Sequence, residues 1–126
     1  MPTINLRIKD ESGKPKFFKA EVIWTDDKFA THSAHGNDGY SATHIASGDS
    51  VSLTVPTEAH ARVFAQWLSG LDCDWSAKSP DLSKLPKCLI KVRDWLRKLP
   101  KAPTLNTVKI KARALSAARI TRLPGA

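Results

Sequence analysis

The chain has 126 residues, 41% apolar and 25% charged, the balance of one folded domain (1–126) and not of a disordered segment. No apolar run nears the roughly 18 residues of a membrane helix, and Arg7, Lys9 and Asp10 interrupt the N-terminus before a secretory signal can form, so no membrane partner is expected. The 20 basic residues outnumber the 12 acidic ones, while Cys73 and Cys88 are too few for a disulfide framework and lack zinc-knuckle spacing; a reduced, cytoplasmic setting without cofactor or metal is expected.

The first stretch reads as strands. Ile4, Leu6 and Ile8 alternate with polar neighbours, the period of a half-buried strand. Glu11-Ser12-Gly13-Lys14-Pro15 has turn chemistry, and Phe18, Ala20, Val22 and Trp24 then share one face of a second strand, predicting a hairpin. Asp26-Asp27 marks a turn before a short strand at 28–31. His35-Gly36-Asn37-Asp38-Gly39 is a loop signal, followed by a strand at 40–45 and, after Ser47-Gly48-Asp49, a fifth at Val51, Leu53 and Val55. The expectation is an α+β fold in which an antiparallel meander of about four or five strands (1–56) is packed by one or two amphipathic helices (57–99).

Thr57 suits the N-cap of a helix that runs to Ser69 and stops at Gly70, with Val63, Phe64, Trp67 and Leu68 on one side. His60 projects into that stripe and is read as a core-edge histidine. A loop with Asp72, Cys73 and Asp74 follows; two carboxylates alone do not make a cation site. A second helix is predicted from about Leu85 to Leu99, where Pro100 and Pro103 end it. Its apolar stripe holds Leu85, Cys88, Leu89, Val92 and Leu96, and Lys84, Lys87, Lys91 and Lys98 form a separate face with Trp95 at the border. The last segment, 100–126, is expected to be a basic strand or tail. Val108, Ile110 and Ala112 alternate with Lys109, Lys111 and Arg113, and the β-branched residues favour a strand at 106–114 over the competing helical stripe.

The charge is unevenly placed. Residues 1–77 carry seven basic against ten acidic side chains, net −3, whereas residues 78–126 carry thirteen against two, net +11. An imbalance of that size points to a polyanionic partner. Lys84, Lys87, Lys91 and Lys98, then Lys109, Lys111, Arg113, Arg119 and Arg122, are the candidate phosphate contacts, and Trp95 is the candidate stacking plane. DNA or RNA bound through its backbone is the expected partner, within a nucleoprotein complex or alone, and the acidic β-rich half is a candidate protein-contact surface.

Two rival readings rest on other features. His32, His35 and His44 surround one Gly-rich loop, and two imagined as acid and base would make a small, toxin-like ribonuclease, or all three a zinc site. The basic face alternatively docks on an acidic or nucleic-acid-binding protein as an inhibitor or subunit. Ser33, Ser41 and Ser47 lie in no nucleophile elbow, and no Gly-rich phosphate loop is present.

Overall fold

A computed structural model describes residues 2–9, 11–36, 38–81, 83 and 85–121, with backbone alone for 117–121. The alternating N-terminal residues form β1 (Thr3–Lys9), which pairs antiparallel with β2 (Pro15–Glu21) in the register Leu6↔Phe18. Gly13, at φ +83°, supplies the left-handed backbone between them. Leu6 is buried and most of β2 is exposed, and the hairpin meets the rest of the protein through both strands: the Arg7 N–H of β1 bonds the Gly48 carbonyl at 2.8 Å, and β2 lies beside the strand Phe29–Ser33.

The second strand is shorter than its alternation predicts. It ends at Glu21, and Trp24–Thr25 forms β3 in a different sheet with β4 (Phe29–Ser33) and β5 (Tyr40–His44), in the order β3-β4-β5. Asp26 makes the connecting turn by accepting the Lys28 and Phe29 N–H groups at 3.1 and 2.9 Å. The sheet is antiparallel, with Phe29↔His44 and His32↔Ser41 opposite one another. Residues paired across strands share a face and alternate along them, so Phe29, Thr31, Ala42 and His44 look one way and His32, Ser41 and Thr43 the other.

The expected fifth strand at 51–55 is corrected to an irregular segment beside β5 that forms isolated bridges, Thr43↔Ser50 and Tyr40↔Val55, and no continuous ladder among the described residues. Leu53 sits at φ +58° and breaks the ladder. The Ser52 hydroxyl takes the Ala42 N–H at 2.9 Å in place of a backbone carbonyl.

The first helix forms where its caps predict, as α1 (Glu58–Ser69), with Thr57 accepting the His60 N–H at 3.3 Å and Gly70 at the end. It packs on the Phe29 side of the second sheet, where Glu58 accepts from the Thr31 hydroxyl at 2.6 Å. The second helix, α2 (Leu89–Arg97), begins later than Leu85. Leu89 N–H first closes a tight turn onto the Pro86 carbonyl at 3.1 Å, and the helix's own bonds begin at the Cys88 carbonyl, which takes the Val92 N–H at 2.9 Å.

The C-terminal segment is a helix, α3 (Leu105–Thr121), and not a strand at 106–114. Thr104 caps it, accepting the Thr107 N–H at 3.2 Å. As a helix it turns Val108 and Ala112 into the core with Leu105 and Leu115 beside them, and it leaves Ile110 56% exposed. A strand would place Val108, Ile110 and Ala112 on one face; burying the helical stripe against α1 and α2 outweighs the β preference of those residues. Thr121 therefore ends a helix, and the tail expected after it lies outside the described residues. The α+β class stands, with the strands following one another as a meander split between two sheets. Among the described residues no helix is long and apolar enough to cross a membrane.

Candidate nucleic-acid interface

On α2 the apolar stripe buries Val92 and Leu96, and the residues on its flank follow from helical spacing. Lys91 and Lys98 lie four before and three after Trp95, so all three share one face. Both lysines are exposed, as is Lys87 in the turn that leads into the helix, while the Trp95 ring is half-buried against the core. Asp94, the one acid of α2, is engaged by Arg93 at 3.2 Å. Lys84 lies outside the described residues.

The helical form of the last segment redistributes its charges. On a strand Lys109, Lys111 and Arg113 would form a single row; on a helix Lys109 and Arg113 stay neighbours and Lys111 turns about 160° away from Lys109. Lys109 and Arg113 are exposed on the outer side of α3. Lys111 turns toward α2, where its Nζ sits 5.6 Å from the centre of the Trp95 ring. Lys111 of α3 thus sits over the indole of Trp95, the α2 residue that helical spacing places on one face with Lys91 and Lys98. The Arg119 side chain and Arg122 lie outside the described residues.

Sequence patterning passed over Arg97, which lies across the apolar stripe from these lysines. Its Nε donates to the Thr54 carbonyl at 3.1 Å and ties α2 to the irregular segment after β5. The only sequence signal for it was a basic residue opposite the lysine face. In the acidic half, Asp26, Asp49, Glu58 and Asp74 are engaged within the fold, by Ser69 and the turn N–H groups, Arg7, Arg62 with Thr31, and Ser76 respectively. Fully exposed Asp74 has its pKa lowered by the Ser76 hydroxyl and N–H that it accepts.

The three loop histidines do not converge. His44 is buried on the α1 side of the sheet, hydrogen-bonded to the Ser47 hydroxyl at 2.8 Å and to the Trp75 carbonyl at 2.6 Å. His32 is buried on the other side. Its Nδ1–H donates to the Ser33 carbonyl at 2.8 Å and its Nε2 meets the Thr43 hydroxyl at 2.7 Å. Burial lowers the His32 pKa, and the Ser33 bond offsets part of that. His35 is exposed in the loop, its ring 4.4 Å from that of Phe18 on the hairpin. A sheet therefore separates His44 from the other two. Among the described residues no group of three His, Cys, Asp or Glu side chains is placed to hold a metal ion.

His60 is fully buried and hydrogen-bonded at both ring nitrogens. Compared with known protein families, with curated proteins and with solved structures, the chain finds no match.

Proposed function

We propose that the chain binds nucleic acid without catalysing a reaction on it, through the face that α2 and α3 share. The observation that supports this most is the placement of Lys111 over Trp95, which joins two basic elements into one surface with Lys91 and Lys98. Phosphates displace counterions from these ammonium groups, and Lys87, Lys109 and Arg113 extend the charge along the two helices. Trp95 acts first by holding the Lys111 ammonium; a base stacks on that side of the ring when Lys111 swings out to a phosphate. The described residues of the face offer ammonium groups suited to phosphates, so affinity is expected to be independent of sequence and steeply dependent on salt.

The test is an electrophoretic shift titration with single-stranded, duplex and RNA probes at several salt concentrations. The combined Lys91→Gln, Lys98→Gln and Lys111→Gln variant should weaken all probes by similar factors. It should also reduce the duplex salt slope by roughly three counterions, at about 0.9 each. Parent-like affinity in this variant overturns the assignment, as does a purified parent that shifts no probe at low salt. Cleavage of labelled RNA that is lost with His35→Ala would favour the nuclease reading instead.

A further inference from the structure

Between the β1–β2 hairpin and the side of the second sheet turned away from α1 lies a cavity of about 290 Å³. Arg7 from β1 and Arg97 from α2 both line it, together with Ser41 of β5, Ser50 and the two histidines His32 and His35. No carboxylate lines it among the described residues. We propose that this cavity is a binding site for a small phosphate monoester.

The groups around it are donors with capacity to spare. Arg97 uses only Nε, on the Thr54 carbonyl, and its terminal guanidinium nitrogens have no acceptor among the described residues. Arg7 is loosely held: its contact with Asp49 is 3.7 Å between half-exposed side chains, beyond hydrogen-bond length. Ser41 and Ser50 share one hydrogen bond of 2.9 Å, which consumes one of their two hydroxyl hydrogens and leaves the other to donate. His32 is engaged at both nitrogens and forms a fixed wall. Gly48 sets the spacing: at φ +79° it lies so close to β1 that a Cβ would stand 3.0 Å from the Asn5 carbonyl and 3.2 Å from the Arg7 Cβ.

Two guanidinium forks and a hydroxyl offer more donors than a carboxylate's two oxygens can use, and they match the three terminal oxygens of a monoester dianion. Leu6, Ile8 and Leu53 supply apolar wall for the carbon side of the ester. The volume is at the low end for small-molecule sites and limits that group to roughly the size of a sugar or phenyl ring. The site does not depend on the α2–α3 face.

Isothermal titration with phenyl phosphate, benzoate and phenol tests the proposal. Phenyl phosphate should bind, benzoate at least about tenfold more weakly, and phenol not measurably. Arg7→Gln and Arg97→Gln should each weaken phenyl phosphate at least about tenfold, whereas Lys101→Gln, an exposed cation outside the cavity, should leave it unchanged. Because Arg97 also ties down a loop, Arg7→Gln is the decisive variant, with an unchanged thermal transition as its control. Absent phenyl phosphate binding overturns the proposal. So does equal weakening by Lys101→Gln, which would mean diffuse charge, or benzoate binding as tight as the phosphate.

Discussion

His60 Nε2 donates to the Leu99 carbonyl at 2.8 Å, joining the first turn of α1 to the end of α2. A carbonyl only accepts, so Nε2 carries a hydrogen. On the other side of the ring, Nδ1 lies 2.6 Å from the Thr57 hydroxyl, whose oxygen also takes the His60 N–H. One residue therefore supports the N-cap of one helix and satisfies a carbonyl just beyond the C-cap of another. His60→Ala should cost about 3 kcal/mol, since it opens a cavity and strands both partners. Thr57→Ala should cost about 1–2 kcal/mol as a lost cap. The double variant should fall short of their sum because the two residues share a bond. Urea unfolding checks all three, and a His60→Ala cost under about 1 kcal/mol would remove this linkage from the account.

The legibility of the fold varied with how local each cause was. The limits of α1 were readable because Thr57, Gly70 and the Val63–Leu68 stripe all lie within the segment itself. The state of α3 was not, because Val108 and Ala112 fit both periods, and only the helices they pack against decide between them. The lysine face around Trp95 was visible on α2, yet Lys111 joined it only once its segment became a helix. The histidines mislead for a related reason. His32 and His44 look like neighbours around one loop, but the register that pairs His44 with Phe29 puts them on opposite faces, and register is absent from a linear pattern.

Gly39 should be far less replaceable than Gly13. Both have positive φ, +107° and +83°. A Cβ at Gly13 meets nothing within 4 Å, whereas at Gly39 it would stand 2.6 Å from the Val55 carbonyl oxygen. That carbonyl accepts the Tyr40 N–H at 3.0 Å, one of the two bonds of the Tyr40↔Val55 bridge. Gly13→Ala should cost about 1 kcal/mol, the strain of an alanine in left-handed backbone. Gly39→Ala should exceed it by at least about 1–2 kcal/mol through the added clash. Equal midpoint shifts in denaturant would contradict the close approach of this loop to residues 54–55.

The two thiols should separate by reactivity. Cys88 is buried, its Sγ 3.7 Å from the Ala112 carbonyl and 3.5 Å from the Ser116 hydroxyl, so a reagent reaches it only when α3 lifts away. Cys73 is partly exposed in the loop after α1. Timed alkylation read by mass spectrometry should modify Cys73 first, with Cys88 following at a rate that rises with added urea. Rapid labelling of Cys88 in the native protein would mean that α3 is not docked as described.

His32 should make stability fall as the solution is acidified. Its burial lowers the folded-state pKa below the ordinary histidine value of about 6.5, with the Ser33 carbonyl offsetting part of the effect. Above pH 6.5 the ring is neutral in both the folded and the unfolded chain, and its contribution to stability is fully present. As the pH drops below about 6.5, the unfolded chain takes up a proton that the folded one resists, so unfolding gains ground until the lowered folded pKa is passed. Protonation also ends the ability of Nε2 to accept from the Thr43 hydroxyl, which lies 2.7 Å away. His32→Gln removes this titration whatever its own cost in stability, so the informative quantity is the slope against pH and not the level. Urea unfolding at pH 7.0, 6.0 and 5.0 should give a shallower decline in the variant than in the parent. Parallel declines would show that the folded state binds its proton on His32 as readily as the unfolded chain does, and would contradict its burial between the hairpin and the sheet.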